Sequence, residues 1–264
     1  MRGIIRVVMV AAALAAMVCC ASAAEPVTGK LTGRLTQKDG SPLSGGLAFF
    51  FNQSTGVPPL PEKYWRVPDE IAELDAEGRF TAELIEGTYF VGAVKRAIGR
   101  DVGPPNEGDL FLVSRDPQGK PRTFAVKART QQDIGTIAEA LPFVKSPNKG
   151  GITGIEGVVE GEDGKPIAGV FVFAFMTPSM VGRPQFVAER TGADGRFLLR
   201  VAEAGNYYLK VRDVYGGGPP RQGGIIGGYV SDTPQSVAVK ANAITKGVSL
   251  KGIRFQGQGQ ARKP

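Results

Sequence analysis

Residues 32–45 read Thr-Gly-Arg-Leu-Thr-Gln-Lys-Asp-Gly-Ser-Pro-Leu-Ser-Gly, and residues 156–169 read Glu-Gly-Val-Val-Glu-Gly-Glu-Asp-Gly-Lys-Pro-Ile-Ala-Gly. Both segments place Gly, Asp-Gly, Pro and Gly at the same spacing, 124 positions apart. Asp-Gly after an alternating apolar segment is typical of a tight turn between β-strands, because these residues tolerate positive φ angles. The chain therefore contains one strand–turn pattern twice.

The repeat extends over most of the chain. Four further segments recur in the same order: 77–80 with 194–197, 87–89 with 205–207, 103–105 with 218–220, and 126–128 with 239–241. A period of this length is a whole domain rather than a solenoid unit of roughly 20–50 residues. We predict two tandem copies, residues 25–145 and 152–264, each with its own core. A short linker of Ser, Pro, Asn, Lys and Gly at 146–151 joins them.

Each copy alternates short apolar segments with turn residues, and the chain holds 37 Gly and 19 Pro. The predicted strands are 31–36, 47–51, 79–84 and 89–94 in copy one, and 154–160, 170–175, 196–201 and 207–211 in copy two. Segment 134–141 is compatible with a helix, but we predict a strand because its counterpart 248–255 alternates. This spacing of strands favours an all-β fold of two β-sandwiches.

The order of these motifs resembles the carboxypeptidase regulatory-like domain, one of the transthyretin-like β-sandwiches. The resemblance rests on Gly-x-Val/Leu, Asp-Gly-x-Pro-Leu/Ile-x-Gly, Asp/Glu-Gly-Arg-Phe and Gly-x-Tyr, which occur in both copies. It implies a seven-stranded Greek-key sandwich in each copy and a non-catalytic accessory role. The Gly-Pro-Pro loops are additional to the usual pattern.

The composition removes most enzyme chemistries. The chain has no His and only two Cys, Cys19 and Cys20, so it lacks Ser-His-Asp and Cys-His nucleophile systems and His-ligated metals. Transthyretin-like hydrolases and intradiol dioxygenases resemble this architecture but depend on histidines, and neither activity carries over. We predict no enzyme activity, no cofactor and no metal site.

Acidic residues of the predicted turns offer one alternative to this reading. They are Asp39, Asp75, Glu77, Asp163 and Asp194. We interpret the aspartates as caps of their own turns, because no calcium-loop spacing is present. A Ca²⁺-dependent hydrolase is the alternative that the sequence does not favour.

The first 24 residues are typical of a signal peptide. Arg2 and Arg6 precede an apolar segment at 7–18, and a small-residue cleavage signal follows at 21–23. We therefore expect an exported protein, in the periplasm, on the cell surface or outside the cell, without a transmembrane span. A lipid anchor on Cys19 or Cys20 is an alternative, disfavoured because Val18 departs from the small residue that usually precedes a lipidated cysteine.

The formal net charge is +7, and the basic residues are scattered rather than clustered. Such a distribution serves solubility and does not indicate a nucleic-acid partner. We expect a protein partner or a carbohydrate polymer instead.

Two kinds of loop supply the candidate binding surface. Tyr64, Trp65 and Arg66 follow a Pro-rich stretch that copy two lacks, and Tyr215 lies beside three glycines. Their rings are suited to stack on a sugar or a partner side chain. The alternative is that Trp65 packs under the longer loop of copy one.

The Gly-Pro-Pro loops recur in both copies and are stiffened toward polyproline II, which lowers the ordering cost of docking. The candidate docking residues there are Pro104, Pro105, Pro219, Pro220 and Arg221. The alternative is that these loops only cap the ends of the sandwiches.

Overall fold

The computed structural model describes residues 26–145, 151–216, 218–229 and 235–256. The expected signal peptide (1–24), Cys19, Cys20 and residues 146–150 of the expected linker lie outside the described residues. Within the described part, regular structure is β-strand apart from one 3-10 turn at Gln53–Thr55. No helix in these ranges is long and apolar enough to cross a membrane.

Each copy contributes eight strands. Those of copy one are β1 (Thr28–Gln37), β2 (Leu47–Asn52), β3 (Glu70–Glu73), β4 (Arg79–Ile85), β5 (Gly87–Lys95), β6 (Leu110–Val113), β7 (Thr123–Val126) and β8 (Gln131–Pro142). Those of copy two are β9 (Gly154–Glu160), β10 (Phe171–Phe175), β11 (Phe186–Val187), β12 (Arg196–Arg200), β13 (Gly205–Arg212), β14 (Ile225–Gly228), β15 (Ser236–Val239) and β16 (Ile244–Arg254).

Copy one is a sandwich of two layers. In one layer β1 lies between β4, which is antiparallel to it, and β8, which is parallel to it. In the other layer β2 lies between β3 and β5, and β5 pairs first with β7 and then with β6. The end of β8 reaches β6, through the pairs Leu110 with Pro142 and Phe111 with Leu141, and so connects the layers.

Copy two repeats this arrangement strand for strand. Strand β9 lies between β12 and β16, β10 lies between β11 and β13, and β13 pairs with both β15 and β14. The predicted fold class, all-β with two tandem sandwiches, is confirmed. The strands predicted at 134–141 and 248–255 are confirmed as β8 and β16. Each copy has one strand more than the seven implied by the resemblance.

Buried and exposed side chains alternate along the strands of copy one, and the buried ones fill its core. In β4, Phe80, Ala82 and Leu84 are buried while the residues between them are exposed. The inward side chains of both layers form one cluster, which includes Leu31, Leu35, Phe50, Tyr89, Val91, Leu112, Val126 and Ile137. Apolar burial from two facing sheets holds the layers together, at about 1.5–3 kcal/mol per large side chain.

The aspartates of the turns bind their own backbone, as predicted. The carboxylate of Asp39 accepts from the backbone N–H of Ser41, and that of Asp163 accepts from Lys165. Asp75 and Asp194 accept in the same way from N–H groups two residues ahead of them. In this turn geometry the aspartates support the fold.

Strand β2 is buried on both faces. Phe50 points into the core of copy one, whereas Phe49 and Phe51 lie on the outer face of the same layer, and all three are under a tenth exposed. Strand β10 shows the same pattern, with Phe173 and Phe175 buried on its outer face. A sheet buried on both faces must be covered from outside, and here the cover comes from the junction of the two copies.

Candidate functional site

Residues 56–69 of copy one, here called the insertion segment, pack into copy two. Val57, Leu60 and Tyr64 join the hydrophobic core that β9 to β16 enclose. The ring of Tyr64 meets Phe186 edge to face at 5.4 Å, and its hydroxyl donates to the Pro58 carbonyl at 2.9 Å. The expectation that each copy buries its own core is therefore corrected for copy two.

The insertion segment also pairs with the sheet of copy two. The Val67 N–H donates to the Gln185 carbonyl, and the Val187 N–H donates to the Trp65 carbonyl, each at 3.0 Å. Arg66 is the bridge residue opposite Phe186. Copy one thus adds an isolated antiparallel β-bridge beside β11, which covers part of an edge that would otherwise be open.

Trp65 lies at the centre of an aromatic cluster between the copies and is 8% exposed. Its indole ring contacts Phe111 at 5.9 Å and Phe143 at 5.8 Å, and its Nε1 lies 3.5 Å from a Glu189 carboxylate oxygen. The Arg200 guanidinium lies 5.5 Å from the ring centroid. Such aromatic pairs add about 0.5–1.5 kcal/mol each beyond the area that they bury.

The buried Arg66 side chain stabilises the insertion segment through hydrogen bonds. Its guanidinium donates to the carbonyl oxygens of Asn52, Gly56 and Val57 and to the Asp69 carboxylate. Burial lowers the pKa of Arg66, and the Asp69 carboxylate opposes that effect. A buried cation with this many acceptors is a structural clamp.

Arg183 of copy two completes this network from the other side of the junction. Its Nη1 lies 2.5 Å from Oδ1 of Asp69. Two arginines, one from each copy, therefore share one carboxylate that is 10% exposed.

The Gly-Pro-Pro loop of copy one lies in the same junction. Gly103 has φ of 143°, and a Cβ there would lie 2.9 Å from the Phe171 ring of copy two. Pro105 is buried and Pro104 is half-buried. Arg96 donates to the carbonyls of Gly103 and Pro104, each at 2.9 Å, so the backbone of this loop is held in place.

Tyr215 packs against the same patch from copy two. Its ring is edge-on to Phe171 at 5.5 Å and 5.7 Å from Phe173. Burial raises the pKa of the Tyr215 hydroxyl.

The Gly-Pro-Pro loop of copy two is more open. Pro219 and Arg221 are exposed and Pro220 is half-buried. Arg212 donates to the Gly218 carbonyl at 2.9 Å, which parallels the contact of Arg96 with Gly103.

The candidate binding surface is corrected accordingly. Tyr64, Trp65, Arg66, Pro105 and Tyr215 come together at the junction, where the first four are buried and Tyr215 is half-buried, so little of their surface is left for a ligand. The alternative in which Trp65 packs under its own loop is incomplete, because the covering surface belongs to copy two. Pro219, Pro220 and Arg221 lie apart from this cluster and remain accessible.

A cleft of about 1260 Å³ opens beside the junction and is lined from both copies. Its charged lining consists of Glu62, Lys63, Lys145, Glu156, Glu189, Arg190, Arg196 and Arg200. Five of these side chains are basic and three are acidic, and Trp65 and Phe143 supply an apolar part of the wall. Sequence patterns alone do not reveal this cleft, because its walls come from segments of both copies that are far apart in the chain.

Arg200 of copy two packs against the insertion segment of copy one. It stacks on Trp65, and one Nη lies 3.4 Å from the Glu62 carbonyl oxygen. Burial lowers its pKa, opposed by the charges of Glu189 and Glu62. Within the described ranges, no three His, Cys, Asp or Glu residues are grouped so that they could hold a metal ion.

No family model matches this chain, and no curated protein matches it. Among solved structures, the Bacillus anthracis TIE protein is 15% identical with a TM-score of 0.28; the match covers 86% of this chain and 35% of that one. The pilus backbone RrgB of Streptococcus pneumoniae is 11% identical with a TM-score of 0.25, covering 86% and 65%. The shaft pilin SpaA of Lactobacillus rhamnosus GG is 10% identical with a TM-score of 0.23, covering 86% and 98%. This chain thus spans about a third of the first of these structures.

Proposed function

We propose that the chain is an exported, non-catalytic structural and binding module whose two sandwiches act as one rigid unit. We further propose that each copy is a carboxypeptidase regulatory-like domain. The insertion segment is the observation that carries the proposal, because it belongs to copy one by sequence and to the core of copy two by packing.

Several independent contacts support rigidity. The pairing of Val67 with Gln185, the burial of Trp65 and the sharing of Asp69 by two arginines all cross the junction. The pocket that Tyr64, Trp65, Pro105 and Tyr215 line at the junction has a volume of only about 30 Å³. Tight packing of this kind resists sliding, since packed apolar surfaces have few alternative arrangements.

The shared turn chemistry supports the family proposal. Gly40 and Gly164 both have positive φ, 86° and 75°, at the Asp-Gly turns. Gly78 and Gly195 have φ of 74° and 71° and pack closely on the backbone of β1 and β9. Identical backbone requirements at matched positions explain why both copies keep these glycines.

Export and the lack of catalysis rest on the sequence. The first 24 residues have the pattern of a signal peptide, and the chain has neither His nor any Cys beyond Cys20. The binding partner is proposed to be a protein or a carbohydrate polymer outside the cytoplasm.

Two measurements test this proposal. Small-angle X-ray scattering of the chain without its first 24 residues should match the profile calculated from the described residues, and it should not change with ionic strength. A larger radius of gyration that varies with salt would show two tethered domains instead. Intact mass of protein from the native cell envelope should start at Ala24 or Glu25, and a diacylglycerol adduct on Cys19 or Cys20 would replace free export with membrane anchoring.

A further inference from the structure

We propose that the cleft between the two copies binds an extended acidic peptide, which adds as a strand to the free edge of β12. This inference rests on the proposed function, because it names the partner class for the same rigid unit.

The edge of β12 is open on one side. The Val159 N–H donates to the Gly195 carbonyl, and the Val201 N–H donates to the Thr153 carbonyl. Gly195 and Val201, at the two ends of β12, therefore direct these backbone groups toward β9. In an antiparallel ladder the residues at alternate positions point their N–H and C=O groups the other way. The backbone N–H and C=O groups of Leu198 and Arg200 therefore point away from β9. No second strand of the described part pairs with β12 on that side.

The backbone groups of Arg196, which also point away from β9, already have hydrogen-bond partners. The Arg196 N–H donates to the Asp194 carboxylate, and its carbonyl accepts from the Gly192 N–H. A docking strand would therefore engage Leu198 and Arg200. Both residues line the cleft, so an incoming backbone can reach them.

The charges of the cleft select the side chains of that strand. Lys145 is paired with Glu189, Arg190 with Asp101, and Arg196 with Glu156 and Asp194. Lys63 and Arg200 form no salt bridge with a carboxylate of the described residues. Two cations of the cleft without a salt-bridged carboxylate favour an anionic ligand.

The combination of an open backbone edge and basic walls favours a peptide over a glycan. Main-chain hydrogen bonds to a sheet edge give a peptide affinity independent of its sequence, and the side-chain pockets give specificity. Alternate residues of an added strand point to the same side. Acidic residues at every second position would therefore meet Lys63 and Arg200 from one face of the peptide.

The probe is a fluorescein-labelled peptide, Val-Glu-Val-Glu-Val-Glu-Val, titrated with the chain lacking residues 1–24 and followed by anisotropy. We expect saturable binding that weakens with salt, and no binding of the same peptide with Lys in place of Glu. No binding of the Glu peptide at about 1 mM, or equal binding of both peptides, overturns the proposal. Binding of polygalacturonate without binding of the Glu peptide assigns the cleft to a glycan and also overturns it.

Leu198→Pro removes the outward N–H without touching the ladder to β9, so it should weaken peptide binding about tenfold. Thr81→Pro is the matched control, because Thr81 has the equivalent outward position on the edge strand β4 of copy one, away from the cleft. Unchanged affinity in a folded Leu198→Pro variant contradicts strand addition.

Lys63→Glu decides the question if Leu198→Pro does not fold. The variant should bind the Glu peptide more weakly and the Lys peptide more tightly than the native chain does. Unchanged affinities for both peptides would contradict the proposal. The scattering profile and the mature N-terminus do not depend on these outcomes, so failure of peptide binding is separable from failure of the proposed function.

Discussion

Nη1 of Arg183 in copy two lies 2.5 Å from Oδ1 of Asp69 in copy one, while Arg66 donates to Oδ2 of the same carboxylate at 2.8 Å. Asp69 also accepts from the Asn52 N–H at 2.7 Å and from the Thr55 hydroxyl at 2.7 Å. One carboxylate therefore orders the insertion segment within copy one and ties it to copy two. The fold of the segment and the docking of the copies depend on the same group.

The two partners of this ion pair should differ in their effect on stability. Asp69→Ala leaves the buried Arg66 without its carboxylate, and we expect a loss of about 3–5 kcal/mol in the free energy of unfolding. Arg183→Ala should cost about 1 kcal/mol or less, because its side chain is 42% exposed. Urea denaturation measures both, with Glu70→Ala as control, since Glu70 is 57% exposed and lies 3.7 Å from Arg183. Equal losses for Asp69 and Arg183 would contradict the clamp.

Trp65→Ala should open a cavity at the centre of the junction. Loss of a buried Trp costs about 3–5 kcal/mol, and here both copies lose packing at once. Ile98→Ala is the control: Ile98 is 92% exposed, and its truncation should change stability by less than about 0.5 kcal/mol. Thermal unfolding should show one transition in the native chain and two in Trp65→Ala. A single unshifted transition in Trp65→Ala would argue against a shared junction.

The two Gly-Pro-Pro loops should respond differently to the same substitution. A Cβ at Gly103 would lie 2.9 Å from the Phe171 ring, and the residue has positive φ. Gly103→Ala should therefore cost about 1–3 kcal/mol. Gly218→Ala is the matched change in copy two, where nothing lies within 4 Å of the added Cβ, and it should be close to neutral. Denaturation midpoints compare the two, and equal losses would show that the docking of loop one carries no special constraint.

Alkaline pH should weaken the junction through Tyr64. Burial raises its pKa to about 12, above the ordinary value of about 10. Because the folded state holds the neutral hydroxyl, this contribution is complete below pH about 10 and is lost as pH rises through about 12. From pH about 9 to about 11, the free energy of unfolding of the native chain should fall by about 1 kcal/mol more than that of the Tyr64→Phe variant. Urea denaturation at both pH values measures the difference, and parallel losses would show that Tyr64 titrates normally.

Much of the fold follows from local patterns in the sequence. The Asp-Gly turns, the alternation in β4 and the repeat itself each depend on residues that are near one another in the chain. Segment 134–141 was resolved as a strand only by comparison with its counterpart, which shows the value of the repeat. These features need no knowledge of how the copies meet.

The junction could not be derived in the same way. For Tyr64 and Trp65 the sequence offers a ligand-facing surface, with packing of Trp65 under the loop of copy one as the alternative, but the covering residues, such as Phe186 and Arg200, lie more than 120 positions away. One signal was present: residues 47–51 and 171–175 are apolar on both faces, as expected for strands covered on both sides. Which surface covers them depends on tertiary packing and not on the strand sequence.

The claim that the two sandwiches form one rigid unit is tested most directly by hydrogen exchange of two backbone amides. The Val67 N–H donates to Gln185 and the Val187 N–H donates to Trp65, so both amides are protected only while the copies are docked. Measured by NMR on the chain without residues 1–24, they should exchange as slowly as core amides of β1 and β9, by global unfolding. Exchange at rates close to those of unprotected amides, with the cores still protected, would show that the copies separate and would contradict the account.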